Sequence, residues 1–322
     1  MNKPIYKQIY KYIKKYDTIV IGRHIGADPD CLAAQLGLRD SLRLKFPDKK
    51  ILAVGAPASR FKFLGHLDHV ADTFDYSNAL AIVVDTPDKK RIDDIDVSKC
   101  AFSIKIDHHP YLETTCEFEF IDDSASSSAQ LIIEFILDLG LPLTEAIGET
   151  LYAGLISDTN RFMFSTTSAK TFELVMKLMT AVPIDLEKVY RHLYTRPLHE
   201  LRFLGYIKQN IIVTEDGLAY MKLDNKTMEE FKVDPATAGN MVNDLNYIHD
   251  YTVWVLFSEQ SKEDNIRVVL RSRGPVINDV LAKYNGGGHL YAAGARLKTW
   301  NDVDDVIGLL NERCKEYKEN QE

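Results

Sequence analysis

In the first half of this 322-residue chain, four short apolar runs rich in β-branched residues alternate with longer amphipathic stretches, and this alternation restricts the fold more than any other feature. The runs are DTIVIGR ending at Arg23, ILAVG at 51–55, LAIVVD at 80–85 and FSIKID at 102–107, with a helix expected from about Asp30. Strands buried on both faces read as continuous apolar runs, and strands that alternate with helices form βαβ units around a parallel sheet. The expected class is therefore α/β, with a Rossmann-like parallel sheet in the N-terminal part. Three of the strands run into His or Asp, at Arg23-His24, at Asp85 and at Asp107-His108-His109. Ligands of open α/β sheets bind at the carboxyl ends of the strands, so these residues are candidates for a site.

Helical periodicity dominates from about Ala125 to Asn210, broken at Pro142, Pro183 and Pro197. A hairpin is expected at 211–223 around Glu215-Asp216-Gly217, then strands at 252–257 and 266–272 and an amphipathic helix at 301–320. The expected division is a catalytic domain at 1–185, a helical linker at 186–210 and a smaller α+β domain at 211–322. Charge bounds the partners: 47 acidic against 39 basic residues leave a net charge of -8, which argues against a broad basic surface for duplex DNA. A short substrate held locally is still allowed. Cys31, Cys100, Cys116 and Cys314 are scattered without a CxxC pair, so neither a zinc ribbon nor a disulfide framework is indicated. The first residues lack the apolar core of a signal peptide and no stretch approaches a membrane span, which makes a cytoplasmic, membrane-free protein the expectation.

The segment HIGADPD at 24–30 places aspartates four and six positions after a histidine, in a loop between a strand and a helix. Such a loop can turn one imidazole nitrogen and two carboxylates inward, a donor set suited to a first-row metal. Its bland reading is a polar loop with Asp30 as helix N-cap. A strand-terminal Asp85 equally starts ordinary turns, and paired histidines are commonly solvated. Convergence changes the balance. Several strand ends offering His and Asp on one sheet edge exceed what one tetrahedral zinc needs, so two ions sharing an Asp about 3.5–4 Å apart are expected. Asp158, where the apolar stretch GLIS runs out, would complete the second position, and Arg161 nearby could hold a phosphate by bidentate hydrogen bonds.

Taken in order, His24-x3-Asp28-x-Asp30, Asp85, Asp107-His108-His109 and Asp158 resemble the DHH phosphoesterase superfamily, which includes exonucleases, family II inorganic pyrophosphatases and the nanoRNA and pAp hydrolases. Arg271-Ser272-Arg273, Gly286-Gly287-Gly288-His289 and Ala292-Ala293-Gly294 look like its DHHA1 substrate domain. The resemblance is closest to the compact oligoribonuclease and pAp phosphatase group, including enzymes that degrade the pApA released from cyclic di-AMP. It implies His24 and Asp28 on one ion, Asp30, His108 and Asp158 on the other, and Asp85 as the bridge. Manganese is the metal it implies. His109 would face the scissile phosphate, with Asp107 orienting the histidines. The chain departs from the family pattern at Cys31-Leu32-Ala33-Ala34, where Gly-Ser is common, and at Asn160, where glycine is frequent.

The activity so implied is hydrolysis of short RNA or pApA to nucleoside 5′-monophosphates, and of the 3′-phosphate of pAp, with a homodimer allowed. Arg271, Ser272, Arg273, the three glycines and His289 would grip the substrate's far end and so measure its length. The competing readings are an inorganic pyrophosphatase and a nucleotide-binding regulator with a decayed site. His66, His69, His192, His199 and His249, Trp254 and Trp300 read as structural, and the serines at 124–128 read as a cap for the following helix.

Overall fold

The four apolar runs become neighbouring strands of one parallel sheet in the computed structural model, which describes residues 3–71 and 73–321. After α1 (Lys3–Lys15) come β1 (Thr18–Gly22), α2 (Pro29–Lys45), β2 (Lys50–Ala53), β3 (Ala79–Val84), β4 (Phe102–Asp107) and β5 (Phe118–Ile121). Helices α3 (Ser128–Leu139), α4 (Glu145–Asp158), α5 (Ala169–Ala181) and α6 (Leu186–Tyr194) follow. The order is β2-β1-β3-β4-β5 and every pairing is parallel. β5 was not foreseen: Phe118-Glu119-Phe120-Ile121 alternates polar with apolar, as suits a half-buried edge strand.

Strand periodicity distributes the core. Ile19, Ile21, Leu80, Ile82, Ile104 and Ile106 join Tyr6, Ile9 and Ile13 of α1 and the inner faces of α2, α3 and α4. Val20, Ala79, Ala81 and Val83 point the other way, into a smaller cluster with Val54, Ile95, Val97 and Cys116 from irregular segments. Each fully buried Leu or Ile contributes about 1.5–3 kcal/mol, which offsets the ordering entropy of the strands. The chain leaves β1 toward β2 on one side, while β3 lies on the other. This reversal of direction is the switch point at which α/β sheets open a crevice, and the loops after β1 and β3 border it.

The chain clusters into two units, Met1–Thr195 and Arg196–Glu322. The expected linker helices are thus shared out, α6 to the first unit and α7 (Leu198–Asn210) to the second. The second unit continues with β6 (Ile212–Val213), β7 (Leu218–Leu223), α8 (Asn225–Glu230), α9 (Pro235–Asn240), β8 (Val253–Gln260) and β9 (Asn265–Ser272). It ends with α10 (Asn278–Ala282), β10 (Gly287–His289), β11 (Ala292–Leu297) and α11 (Trp300–Glu319). Its sheet runs β10-β11-β9-β8-β7-β6, with only β7 and β8 parallel. One face packs Ile266, Val268 and Leu270 against Val303, Val306 and Leu310 of α11. The other packs Trp254 and Leu256 against Phe203 and Ile207 of α7, and the Trp254 indole N–H donates to the Val242 carbonyl at 2.8 Å.

Gly287 and Gly288 of the glycine run enter the edge strand β10, and Gly286 lies just before it. Gly288 has φ +148°, and a Cβ there would stand 2.2 Å from the Ala292 carbonyl oxygen, so close pairing with β11 excludes any side chain.

Candidate metal centre

Local sequence fixes the first loop. Pro29 starts α2, whose N-cap is Asp28 rather than Asp30: its carboxylate accepts from the Cys31 amide at 3.0 Å. The Cys31 thiol sulfur accepts from the Asp28 amide at 3.3 Å, completing a reciprocal cap. Asp30 is thereby one residue inside the helix and fully turned inward. The loop is braced from below by Arg23, which is completely buried and donates to the His24 carbonyl at 2.8 Å, to Asp93 at 2.8 Å and to the Ala56 carbonyl at 2.6 Å.

The second and third loops follow β3 and β4. Asp85 is buried and adopts φ 51°, a left-handed conformation that Asp tolerates better than most residues. Its amide donates to the Ile106 carbonyl at 3.1 Å, which holds the turn. His108 and His109 follow the last residue of β4, and Asp158 is the last residue of α4.

These loops bring six predicted residues into one cluster. His24 Nε2 lies 3.5 Å from Asp28 Oδ2 and 3.5 Å from Asp85 Oδ2. His108 Nε2 lies 3.3 Å from Asp85 Oδ1, 3.4 Å from Asp158 Oδ2 and 3.9 Å from Asp30 Oδ2. The two oxygens of Asp85 therefore face two separate donor sets. Among the described residues, donor atoms within 4.8 Å of one another form three groups: His24, Asp28, Cys31 and Asp85; Asp85, His108 and His109; and Asp30, His108 and Asp158. His24 Nδ1 sits 2.9 Å from the Ile25 carbonyl, which can only accept from a protonated Nδ1, and Nε2 is the nitrogen turned toward Asp28 and Asp85.

Burial and mutual charge set the electrostatics of the cluster. Complete burial, and then the charges of Asp85 and Asp158, raise Asp30 well above the usual carboxylate range. Burial also pushes Asp158 up to about 7; His108 opposes this, while Asp85 and Asp28 add to it. Burial works against the charge of Asp85 too, yet hydrogen bonds from His108 and His24 hold it well below the usual range. Burial disfavours a charged His108, but Asp85, Asp158 and Asp30 overcome that and bring it to about 10. His24 is raised in the same way, burial being outweighed by Asp28 and Asp85. Burial, then the charge of Asp28, keeps the Cys31 thiol at about 12. Four carboxylates and two imidazoles thus crowd one cluster, and each alters the proton affinity of its neighbours. Carboxylate oxygens and neutral imidazole are the donors that divalent first-row ions take, so the residues fit such a group.

Asp107 is fully buried and orients His109, accepting from its Nδ1 at 2.8 Å and from its amide at 3.2 Å. Lys105, also buried, approaches the other Asp107 oxygen at 3.2 Å and donates to the Pro87 carbonyl at 3.1 Å. Despite burial, the His109 hydrogen bond and the positive charge of Lys105 keep the Asp107 carboxyl low. Arg161 lies beyond Asp158 in a turn where Asn160, Arg161 and Phe162 all have positive φ. Its guanidinium donates to Asn160 Oδ1 at 3.0 Å and stacks 5.1 Å above the Tyr194 ring.

Sequence reasoning missed three supports, Arg23, Lys105 and Ser128. Ser127 does cap α3, as the serine run foretold, but Ser128 donates its hydroxyl to Asp85 Oδ1 at 2.9 Å. The amides of Ser128 and Ala129 donate to the two Asp30 oxygens at 2.7 and 2.9 Å, so the N-terminus of α3 seats a buried carboxylate. The serine run was the available signal.

In the second unit, Arg271 is half-buried, donating to Asn243 Oδ1 at 3.2 Å and to the Leu270 carbonyl at 2.9 Å; desolvation lowers its guanidinium to about 10. Ser272 closes a turn, its hydroxyl donating to the Pro275 carbonyl at 2.7 Å. Arg273 donates to the Ile248 and Tyr251 carbonyls and lies over Trp254. Gly286, Gly287 and Gly288 line the β10–β11 hairpin, and the His289 side chain lies outside the described residues. Among the described residues, His66, His69, His192, His199 and His249 stay out of the metal-competent groups, His192 packing on Phe63.

Residues 18–155 match the family model described as DHH family, N-terminal domain, and residues 215–316 match the DHHA1 domain. The chain is 38% identical over 314 residues to the bifunctional oligoribonuclease and PAP phosphatase NrnA of Bacillus subtilis, covering 97% of this chain and 99% of the relative. It is 35% identical to the probable counterpart of Streptococcus mutans, covering 96% and 99%. Among solved structures it superposes with TM-score 0.87 on an exopolyphosphatase-related protein from Bacteroides fragilis, 25% identical, with 96% of each chain covered.

Proposed function

The chain belongs to the DHH family of phosphoesterases and carries the DHHA1 domain, and on that premise we propose that it hydrolyses short oligoribonucleotides, nanoRNA and pApA, to nucleoside 5′-monophosphates. Removal of the 3′-phosphate of pAp is the second activity, in keeping with the names of the relatives. One observation carries the reading. Asp85, at the switch point of the sheet, turns one oxygen toward His24 and the other toward His108, which is the geometry of a carboxylate shared by two positions.

His24, Asp28 and Asp85 would hold one divalent ion, and Asp85, Asp30, His108 and Asp158 the other. Two such ions, manganese in this family, would neutralise charge on the phosphoryl oxygens and lower the pKa of a water nucleophile. The protein's own part is positional and protonic. The α3 amides and Ser128 hold Asp30 and Asp85 in place. Asp107 accepts from His109 Nδ1, which leaves Nε2 as the nitrogen that stabilises the phosphoryl charge or hands a proton to the leaving oxygen. Arg161, backed by Tyr194, would clamp a phosphate bidentately. Arg271, Ser272, Arg273, Gly286, Gly287, Gly288 and His289 of the DHHA1 domain would recognise the substrate through cationic and main-chain contacts.

We place this activity in the cytoplasm, on single strands rather than duplex DNA, with a homodimer as the assembly. No described helix is long and apolar enough to cross a membrane. The deciding experiment is product analysis with manganese on 5′-phosphorylated RNAs from dinucleotides to about ten nucleotides, with pAp and pyrophosphate alongside. AMP release from pApA and the shortest RNAs is expected. Turnover of pyrophosphate alone would reassign the enzyme to pyrophosphate hydrolysis.

A further inference from the structure

His24, Asp28, Cys31 and Asp85 present donor atoms within 4.8 Å of one another, yet the reading above uses three of them as ligands. Nitrogen, oxygen and sulfur donors bind zinc-like ions at about 2.0–2.3 Å, so ligands of one ion stand no more than about 4.6 Å apart. The fourfold group is within a few tenths of an ångström of that limit. Cys31 is fully buried in the first turn of α2, with its sulfur 3.3 Å from the Asp28 amide and 3.4 Å from the Asp28 carbonyl. A helix N-terminus favours negative charge at this place. Capping alone does not call for sulfur, since hydroxyl and carboxylate side chains cap better.

We propose that Cys31 Sγ is a fourth protein ligand of the ion held by His24, Asp28 and Asp85. The first position then has nitrogen, oxygen and sulfur donors, whereas the second, from Asp30, His108 and Asp158, has no sulfur. The assignment rests on the two-ion reading above. Thiolate donors favour zinc, iron(II) and cobalt(II), while oxygen-rich sites suit manganese. The two positions therefore differ in preference, a softer ion entering the first and manganese the second. Binding at the first position releases the thiol proton to solvent and forms one sulfur–metal bond.

Cobalt(II) titrated into the metal-free full-length protein tests this. Wild type is expected to show a near-ultraviolet sulfur-to-cobalt charge-transfer band that saturates with the first equivalent. Cys31→Ala and Cys31→Ser should both lose the band and keep the weaker visible bands of bound cobalt; the serine retains a capping hydroxyl, which guards against a folding defect. The ratio of zinc to manganese affinity at the first position should fall by about tenfold or more in both variants, since even groups that only support a ligand act on that scale. Stoichiometric cobalt without the band, a band that survives in both variants, or an unchanged zinc-to-manganese ratio overturns the assignment of Cys31 alone. A wild-type protein that binds no cobalt overturns both this assignment and the two-ion reading.

Discussion

Gly154 sits where α4 meets α2 and α3, and replacing it with alanine should disturb the fold and the site together. A Cβ at this position would stand 2.6 Å from Ala33 Cβ, 2.9 Å from Ala129 Cβ and 3.2 Å from Asp30 Oδ1. Carbon atoms in contact sit about 3.5–4.0 Å apart, so α4 must retreat by about 1 Å. Neither alanine methyl can swing aside, because each is fixed to its main chain. Overpacking of this kind costs about 1–3 kcal/mol, and the better helix propensity of alanine offsets about 1 kcal/mol of it. The net loss is about 1 kcal/mol, a fall of about 2–4 °C in the melting of a unit this size. Gly205→Ala in α7 is the matched control, since a Cβ there meets nothing within 4 Å; it should gain about 0.5–1 kcal/mol. The same retreat moves Asp158, at the end of α4, away from Asp30, at the start of α2. A misplacement of about 1 Å costs about 100-fold in turnover efficiency. Thermal melts of the metal-free variants, manganese titrations and initial rates on pApA measure all three effects. If Gly154→Ala stabilises as Gly205→Ala does, or keeps wild-type manganese affinity, close helix approach does not set the carboxylate spacing.

Other perturbations separate the parts of the site. Ser128→Ala removes the hydroxyl bonded to Asp85 and should weaken manganese binding by about 10–100-fold; calorimetric titration that finds wild-type affinity would remove Ser128 from the site. Manganese at a hundredfold excess over its dissociation constant should stabilise the protein by about 2.7 kcal/mol, a rise of about 5–11 °C in melting temperature that chelator reverses. Asp85→Ala should abolish both that rise and manganese-dependent AMP release from pApA, and unchanged turnover sinks the two-ion model. Asp68 accepts from the Ala53 amide and pairs with Arg43 and Arg39; burial opposes its charge, but these partners prevail and hold its pKa low. Because the folded pKa is the lower, its contribution is complete above the unfolded value of about 3.9 and drains away as pH falls through the folded one. The stability gap between wild type and Asp68→Asn should therefore narrow below about pH 4, and urea melts showing a constant gap from neutral to acid pH would contradict this.

The legible parts of the fold were those whose pattern is local. TIVIG and LAIVV announce buried parallel strands because both faces are covered, so no polar alternation obscures them, whereas FSIKID alternates and buries Ser103, Lys105 and Asp107 all the same. β5 escaped because an edge strand with Glu119 on one side carries half the apolar signal. Nothing beside the glycine run announces β11 pressing against it; a Cβ at Gly286 would stand 2.6 Å from the Gly294 carbonyl oxygen and one at Gly288 2.2 Å from that of Ala292, which only the β10–β11 pairing explains. α8 and α9 are each six residues long, too short for a helical period to emerge from sequence.

The site divides along the same line, with a consequence for how such sequences are read. His24, Asp28, Asp30, Asp85, His108 and Asp158 lie at the ends of elements, and element ends are legible, so their convergence could be read before the structure. What seats those residues is not local. Asp30 rests on the amides of Ser128 and Ala129, about a hundred positions away in sequence, and Asp85 on the hydroxyl of Ser128. Both contacts come from one helix N-terminus, whose partial positive charge offsets two of the four clustered carboxylates. A chain with every motif residue intact but an altered α3 start would therefore keep the signature and lose affinity for the ions. Motif residues supply the donor atoms, and the start of α3 fixes where two of the carboxylates among them sit.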